Sequence, residues 1–132
     1  MSDTDSLPVS VKRVYDPPAP EDGVRVLVDR LWPRGLSREK AAVDEWMKDI
    51  APSPELRVWF GHRPERFAAF AEAYEQELAE DPVRLALARR LLAMASSRRV
   101  TLLYAARDPV HNHAAVLLRW LAARACRSTP PS

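Results

Sequence analysis

Apolar positions along the chain fall into two short, nearly unbroken runs. The first, Val24, Val26, Leu27 and Val28, has the β-branched composition of a strand buried on both faces. It stops at Asp29 and Arg30 and passes into Leu31-Trp32-Pro33-Arg34-Gly35. Pro33 cannot donate to a sheet ladder, and Gly35 can turn where other residues strain. The second run, Val100-Thr101-Leu102-Leu103-Tyr104-Ala105-Ala106, ends the same way, in Arg107-Asp108-Pro109 and then His111-Asn112-His113. A weaker alternation over 9–15 sets Val9, Val11 and Tyr15 against Ser10 and Lys12 and predicts an edge or first strand. Between it and Val24, the proline-rich stretch 16–23 reads as a rigid turn.

Elsewhere the apolar spacing is helical. Ser37 is placed to cap a helix running to Lys48, with Val43, Trp46, Met47 and Ile50 at three- and four-residue intervals. Ser53 and Pro54 repeat that start signal for a short helix ending at Gly61. Pro64 opens a longer helix with Phe67, Phe70, Ala71, Tyr74 and Leu78 on one face, and Asp81-Pro82 opens another with Leu85, Leu91, Leu92 and Ala95 inward. A last helix, capped around Asp108 or Asn112, is expected to reach about Arg124.

Strands separated by helices pair in parallel through crossovers. The fold class is therefore α/β, a small and mainly parallel sheet of three to four strands under about five helices in Rossmann-like layers. A single domain over 9–126 is expected, with a disordered leader over 1–8 and a flexible tail over 127–132. The long excursion between the second and third strands is expected to form a helical subdomain over the site. Ligands in such sheets bind beyond the carboxyl ends of the strands, so the residues after Val28 and Ala106 become the candidate site.

Composition narrows the classes. With 132 residues and a 47% hydrophobic fraction the chain can build a core unaided. Its one cysteine, Cys126, excludes an internal disulfide and a multi-cysteine metal cluster, and is read as a bystander. The polar start and the lack of a membrane-length apolar run point to the cytoplasm. The net charge of +2 is too balanced to argue for nucleic acid. The cations are skewed, since lysine occurs only at Lys12, Lys40 and Lys48. Arginine suits bidentate capture of phosphate or carboxylate, and this matters where arginines stand at strand ends.

Two clusters carry candidate chemistry. In the first, Asp29, Arg30, Trp32 and Arg34, a buried carboxylate needs a partner, which a neighbouring arginine would supply. The surplus cation would then be left for an anionic ligand. The second holds Tyr104, Arg107, Asp108, His111, Asn112 and His113. A helix beginning near Asn112 would turn free amide groups toward an anion at the strand ends. Tyr104, Asp108 and His113 are the candidate acid–base groups, with His113 first because imidazole titrates in the useful range. His62, after Phe60-Gly61, is a further candidate ligand contact. The spacing of Asp108, His111 and His113 is not a familiar zinc pattern, so neither a metal nor a cofactor is expected.

Several stretches carry a resemblance: Lys12-Arg13-Val14-Tyr15-Asp16, Val28-Asp29-Arg30-Leu31-Trp32-Pro33-Arg34-Gly35, Ala51-Pro52-Ser53, Leu56-Arg57, Trp59-Phe60-Gly61-His62, the segment from Thr101 to Asp108, and Asn112-His113-Ala114. In order and without a large gap over about 11–121, they resemble the YeaO-like group of the domain-of-unknown-function family 488. The resemblance implies a compact α/β domain and no established activity. In the wider family a cysteine stands at the position of Tyr104, and Cys-His-Arg at the position of Asn112-His113-Ala114. This chain keeps the histidine and has neither cysteine, which puts thiol chemistry in doubt.

Two functional readings follow. In one, a small phosphate- or carboxylate-bearing molecule sits over the arginines, bound only or processed by a hydrolase or group transferase. In the other, the same arginines with exposed aromatics hold nucleic acid or a protein. Arginines converging in a pocket support the first, and arginines spread over a face support the second. Oligomeric state is open.

Overall fold

The computed structural model describes residues 7–128 and contains one four-stranded sheet. The strands are β1 (Val9–Arg13), β2 (Val24–Leu27), β3 (Glu45–Trp46) and β4 (Val100–Tyr104), in the order β1-β4-β2-β3. Every pairing is parallel, with Val24 opposite Val100 and Leu27 opposite Leu103 across the central pair. The two apolar runs thus lie side by side, as their shared pattern predicts. The ladder continues past the strands through the amides of Val14 and Val28, which donate to Tyr104 and Leu103.

Alternation along β2 and β4 divides the core. Val26, Val28, Leu102 and Tyr104 face the larger cluster, and Leu27, Leu103 and Ala105 face a smaller one. Helices α3 (Phe67–Glu80), α4 (Pro82–Ala95) and α5 (His113–Ser128) pack against one another on the first side. Tyr74, fully buried there, donates its hydroxyl to the Ile50 carbonyl at 2.7 Å. The second side is covered by Ala41, Trp32 and Trp46, beside a buried ionic network. In that network Asp22 meets Arg25 at 2.5 Å and Lys12 at 3.1 Å, and Arg25 also donates to the carbonyls of Ala41 and Ala42. Burial alone would raise the Asp22 carboxyl, but the Ala19 amide, Lys12 and Arg25 more than offset it and hold the group below its ordinary value. Gly23 enters β2 with φ of +67°, and a Cβ there would stand 2.1 Å from the Arg99 carbonyl oxygen.

Ser37 and Ser53 cap as expected, accepting the amides of Lys40 and Leu56, and Asp81, at the expected start of α4, accepts that of Arg84. The helix expected from Ser37 to Lys48 does not form at that length. Only α1 (Arg38–Ala41) is helical, and the chain leaves it at Ala42 with φ of +50°. It then runs beside β2 as β3, where Asp44 accepts the Arg25 amide, before a 3-10 turn over Lys48–Ile50. The open edge of β2 thus takes Glu45 and Trp46 from a helical-looking pattern. The Pro64 start is likewise a 3-10 turn, Pro64–Arg66, that precedes α3. Among the described residues the helical excursion is not a separate subdomain, because α3 and α4 share the core with the sheet and α2 (Pro54–Phe60) joins it through Phe60.

The expected leader and tail fall largely outside the described residues, although α5 extends to Ser128, past the expected end near Arg124. The side chain of Cys126 also lies outside what is described. Among the described residues no helix is long and apolar enough to cross a membrane.

Candidate functional site

Beyond the carboxyl ends of β2 and β4 lies a cavity of about 690 Å³. Asp29, Arg30, Trp32, Arg34, His62, Arg107, Asp108, His111, Asn112 and His113 all line it. Two loops far apart in sequence meet here because parallel pairing brings both strand ends to one edge.

Asp29 ties the floor together. Its Oδ2 accepts the Ala105 amide at 3.0 Å, and its carbonyl accepts the Trp46 indole N–H at 2.7 Å. Its Oδ1 lies 3.1 Å from His113 Nε2 but has no aligned hydrogen bond among the described residues. The Nε2 instead stands 3.0 Å from the Val28 carbonyl. A carbonyl only accepts, so that nitrogen carries the hydrogen. The expected arginine partner for Asp29 is therefore replaced by His113. Arg30 turns to Asp49 at 3.5 Å, because Asp49 in the 3-10 turn after β3 lies within its reach.

Asp108 is engaged as a turn-former. Its Oδ1 accepts the amides of Val110 and His111, and its Oδ2 lies 2.8 Å from His111 Nδ1. The His111 amide, followed by that of Val110 and by the imidazole, lowers the carboxyl to about 2. A carboxylate so weakly basic is a poor proton acceptor at neutral pH. Asn112 caps α5, accepting the Ala115 amide and donating to the Asp108 carbonyl, both at 2.9 Å. Tyr104 does not line the cavity. It is 4% exposed, packed in the larger core cluster, and its burial raises the phenol. The strand alternation that puts Val26 and Leu102 inward also takes Tyr104 inward.

Trp32 donates its indole N–H to the Leu36 carbonyl at 2.7 Å and meets Trp46 edge-on at 5.5 Å. It shapes the wall, with its one donor already engaged. His62 is exposed and holds φ of +58°, directly after Gly61 at +54°. Two successive left-handed residues at the rim are costly for the imidazole-bearing one. His111 packs edge-on against Phe67 at 5.1 Å. Among the described residues no group of three or more His, Cys, Asp or Glu is arranged to hold a metal.

The remaining charge belongs to arginines. Arg34, Arg57 and Arg107 line the cavity, are exposed, and have no side-chain hydrogen bond or ion pair among the described residues. Both carboxylates in the wall, Asp29 and Asp108, already have partners. A brace fixes the loops that carry Arg34 and Arg107. Arg13 donates to the carbonyls of Ala105 and Ala106 and stacks over Tyr15 at 4.9 Å, while Tyr15 donates to the Arg34 carbonyl at 2.9 Å. Arg57, Phe60 and Tyr15 were missed as site residues in the sequence reading. Arg57 stands one helical turn before Gly61, so its proximity to His62 was the available signal.

A profile of the inactive DUF488-N3 subclade matches residues 8–132. The Escherichia coli (strain K12) protein named uncharacterized protein YeaO is 46% identical over 113 residues, covering 86% of this chain and 96% of its own. Uncharacterized protein Rv3073c of Mycobacterium tuberculosis (strain H37Rv) is 47% identical over 116 residues, covering 88% of this chain and 95% of its own. No solved structure matches.

Proposed function

The chain belongs to the DUF488 family, in the subclade described as inactive DUF488-N3, and from that premise we propose that it binds a small anionic molecule without transforming it. The observation that carries this reading is three guanidiniums, Arg34, Arg57 and Arg107, that line one cavity with no side-chain partner among the described residues. Guanidinium forks match phosphate and carboxylate oxygens, and several of them about one cavity favour an anion there. The α5 N-terminus adds a smaller contribution of the same sign.

The acid–base residues argue against turnover. Tyr104 is in the core, Asp108 is ionised and capping a turn, and His113 directs its Nε2 hydrogen at Val28. With cysteine absent at 104 and 112 no thiol nucleophile stands at those strand and helix ends. The three arginines share the lining of one cavity, which favours a small ligand over nucleic acid or a protein partner.

Isothermal titration with orthophosphate and with citrate at low ionic strength tests the reading. One anion per chain is expected, with Arg57→Ala and Arg107→Ala each weakening it about tenfold, the effect of about 1.4 kcal/mol. Both residues are exposed, so folding should be nearly untouched. Absence of binding by both anions, or binding indifferent to both substitutions, would overturn it.

A further inference from the structure

The cavity is far larger than a bare anion. Its volume of about 690 Å³ falls within the roughly 300–1,000 Å³ that encloses a drug-sized molecule. Orthophosphate would occupy a small part of it, given that a water's share of liquid volume is about 30 Å³.

The wall apart from the arginines is substantially apolar. Phe60 and Phe70 stack at 4.3 Å, and both contribute to it together with Pro33 and Pro52. Leu31, at the same cavity, is 63% exposed. A leucine held in water beside cations loses nothing by being covered, and covering it gains apolar burial. Flat rings also stack favourably on guanidinium planes.

Resting on the anion-binding reading, we infer that the ligand is a phosphomonoester whose ester group is a flat ring, of the size of an aryl or nucleoside monophosphate. A phosphomonoester carries about −1.5 to −2 charge and three acceptor oxygens, which suits three arginines better than a single carboxylate does. The ring then covers Leu31 and the apolar wall, while the phosphate stays with the guanidiniums.

The test is calorimetric titration of the full chain with orthophosphate, ribose 5-phosphate, phenyl phosphate and adenosine 5′-monophosphate at one ionic strength. Phenyl phosphate should bind about tenfold or more tighter than orthophosphate, and the adenosine ester should exceed ribose 5-phosphate by a similar factor. Adenosine monophosphate tighter than phenyl phosphate supports a nucleoside source, and the reverse order supports an aryl one. In Leu31→Ser, an exposed substitution, both ring advantages should fall to about threefold or less. Ring advantages that survive Leu31→Ser unchanged would overturn the assignment of this wall. Equal affinity for all four compounds would remove the ring and leave the anion site standing. No binding by any of them would remove the anion reading as well.

Discussion

The Nε2 of His113 lies 3.0 Å from the carbonyl oxygen of Val28. This contact straps the first residue of α5 to the chain just past β2, and it fixes which ring nitrogen holds the hydrogen. A carbonyl has no hydrogen to give, so Nε2 is the donor in this contact.

The tautomer is directly observable. Nitrogen NMR of the neutral imidazole should show Nε2 protonated and Nδ1 bare. His113→Ala should lower stability by about 1–3 kcal/mol, since it removes the donor to Val28 and the neighbour of the buried Asp29 oxygen. A neutral Nδ1–H tautomer would show that the strap is absent and that Nε2 is free to act as a base.

Asp108 should give the protein an acid-sensitive stability. Its folded carboxyl is lowered from 3.8 to about 2, first by the His111 amide. A depressed carboxyl stabilises the fold fully above its unfolded value, and that contribution is lost as pH falls through the folded value. Urea unfolding should therefore find Asp108→Ala less stable than the parent at neutral pH, with the gap closing as pH falls from 3.8 toward 2. A gap that persists at the acid end would contradict the cap.

Removing Arg25 should be among the most damaging single changes. It would leave Asp22 with the Ala19 amide and Lys12 as its one cation, and would strip the Arg25 donors from the Ala41 and Ala42 carbonyls. Breaking a buried pair from one side costs about 3–5 kcal/mol. Arg25→Met should show a loss of that order in chemical denaturation. A loss within the range of a surface substitution would mean that Lys12 suffices.

The sequence pattern was most legible where local composition and tertiary need agree. β2 and β4 are mostly apolar, with Arg25 the one charge inside them, and both break at charges, so their pairing and the edge where the cavity opens could be read from the runs themselves. The segment over 43–50 could not. Its Val43, Trp46, Met47 and Ile50 spacing fits a helix, but the edge of β2, distant in sequence, offers Glu45 and Trp46 a strand partner. The partner of Asp29 was misread for a similar reason. Arg30 is adjacent in sequence, but the imidazole that reaches the carboxylate comes from α5. Arg57 reaches the wall through the packing of α2, and its place one helical turn before Gly61 and His62 was the one short-range sign of that. Tyr104 follows the alternation into the core, although its place at a strand end made it a candidate acid–base group.

The central claim, that Arg34, Arg57 and Arg107 together hold an anion, is tested most directly by arginine side-chain NMR during titration with orthophosphate. The Nε resonances of these three residues should move together along one saturating curve. Those of Arg89 and Arg98, exposed and outside the cavity, should move only weakly and without saturation. If all exposed arginines shift alike, or if the three stay still while phosphate is added, the cavity is not an anion site.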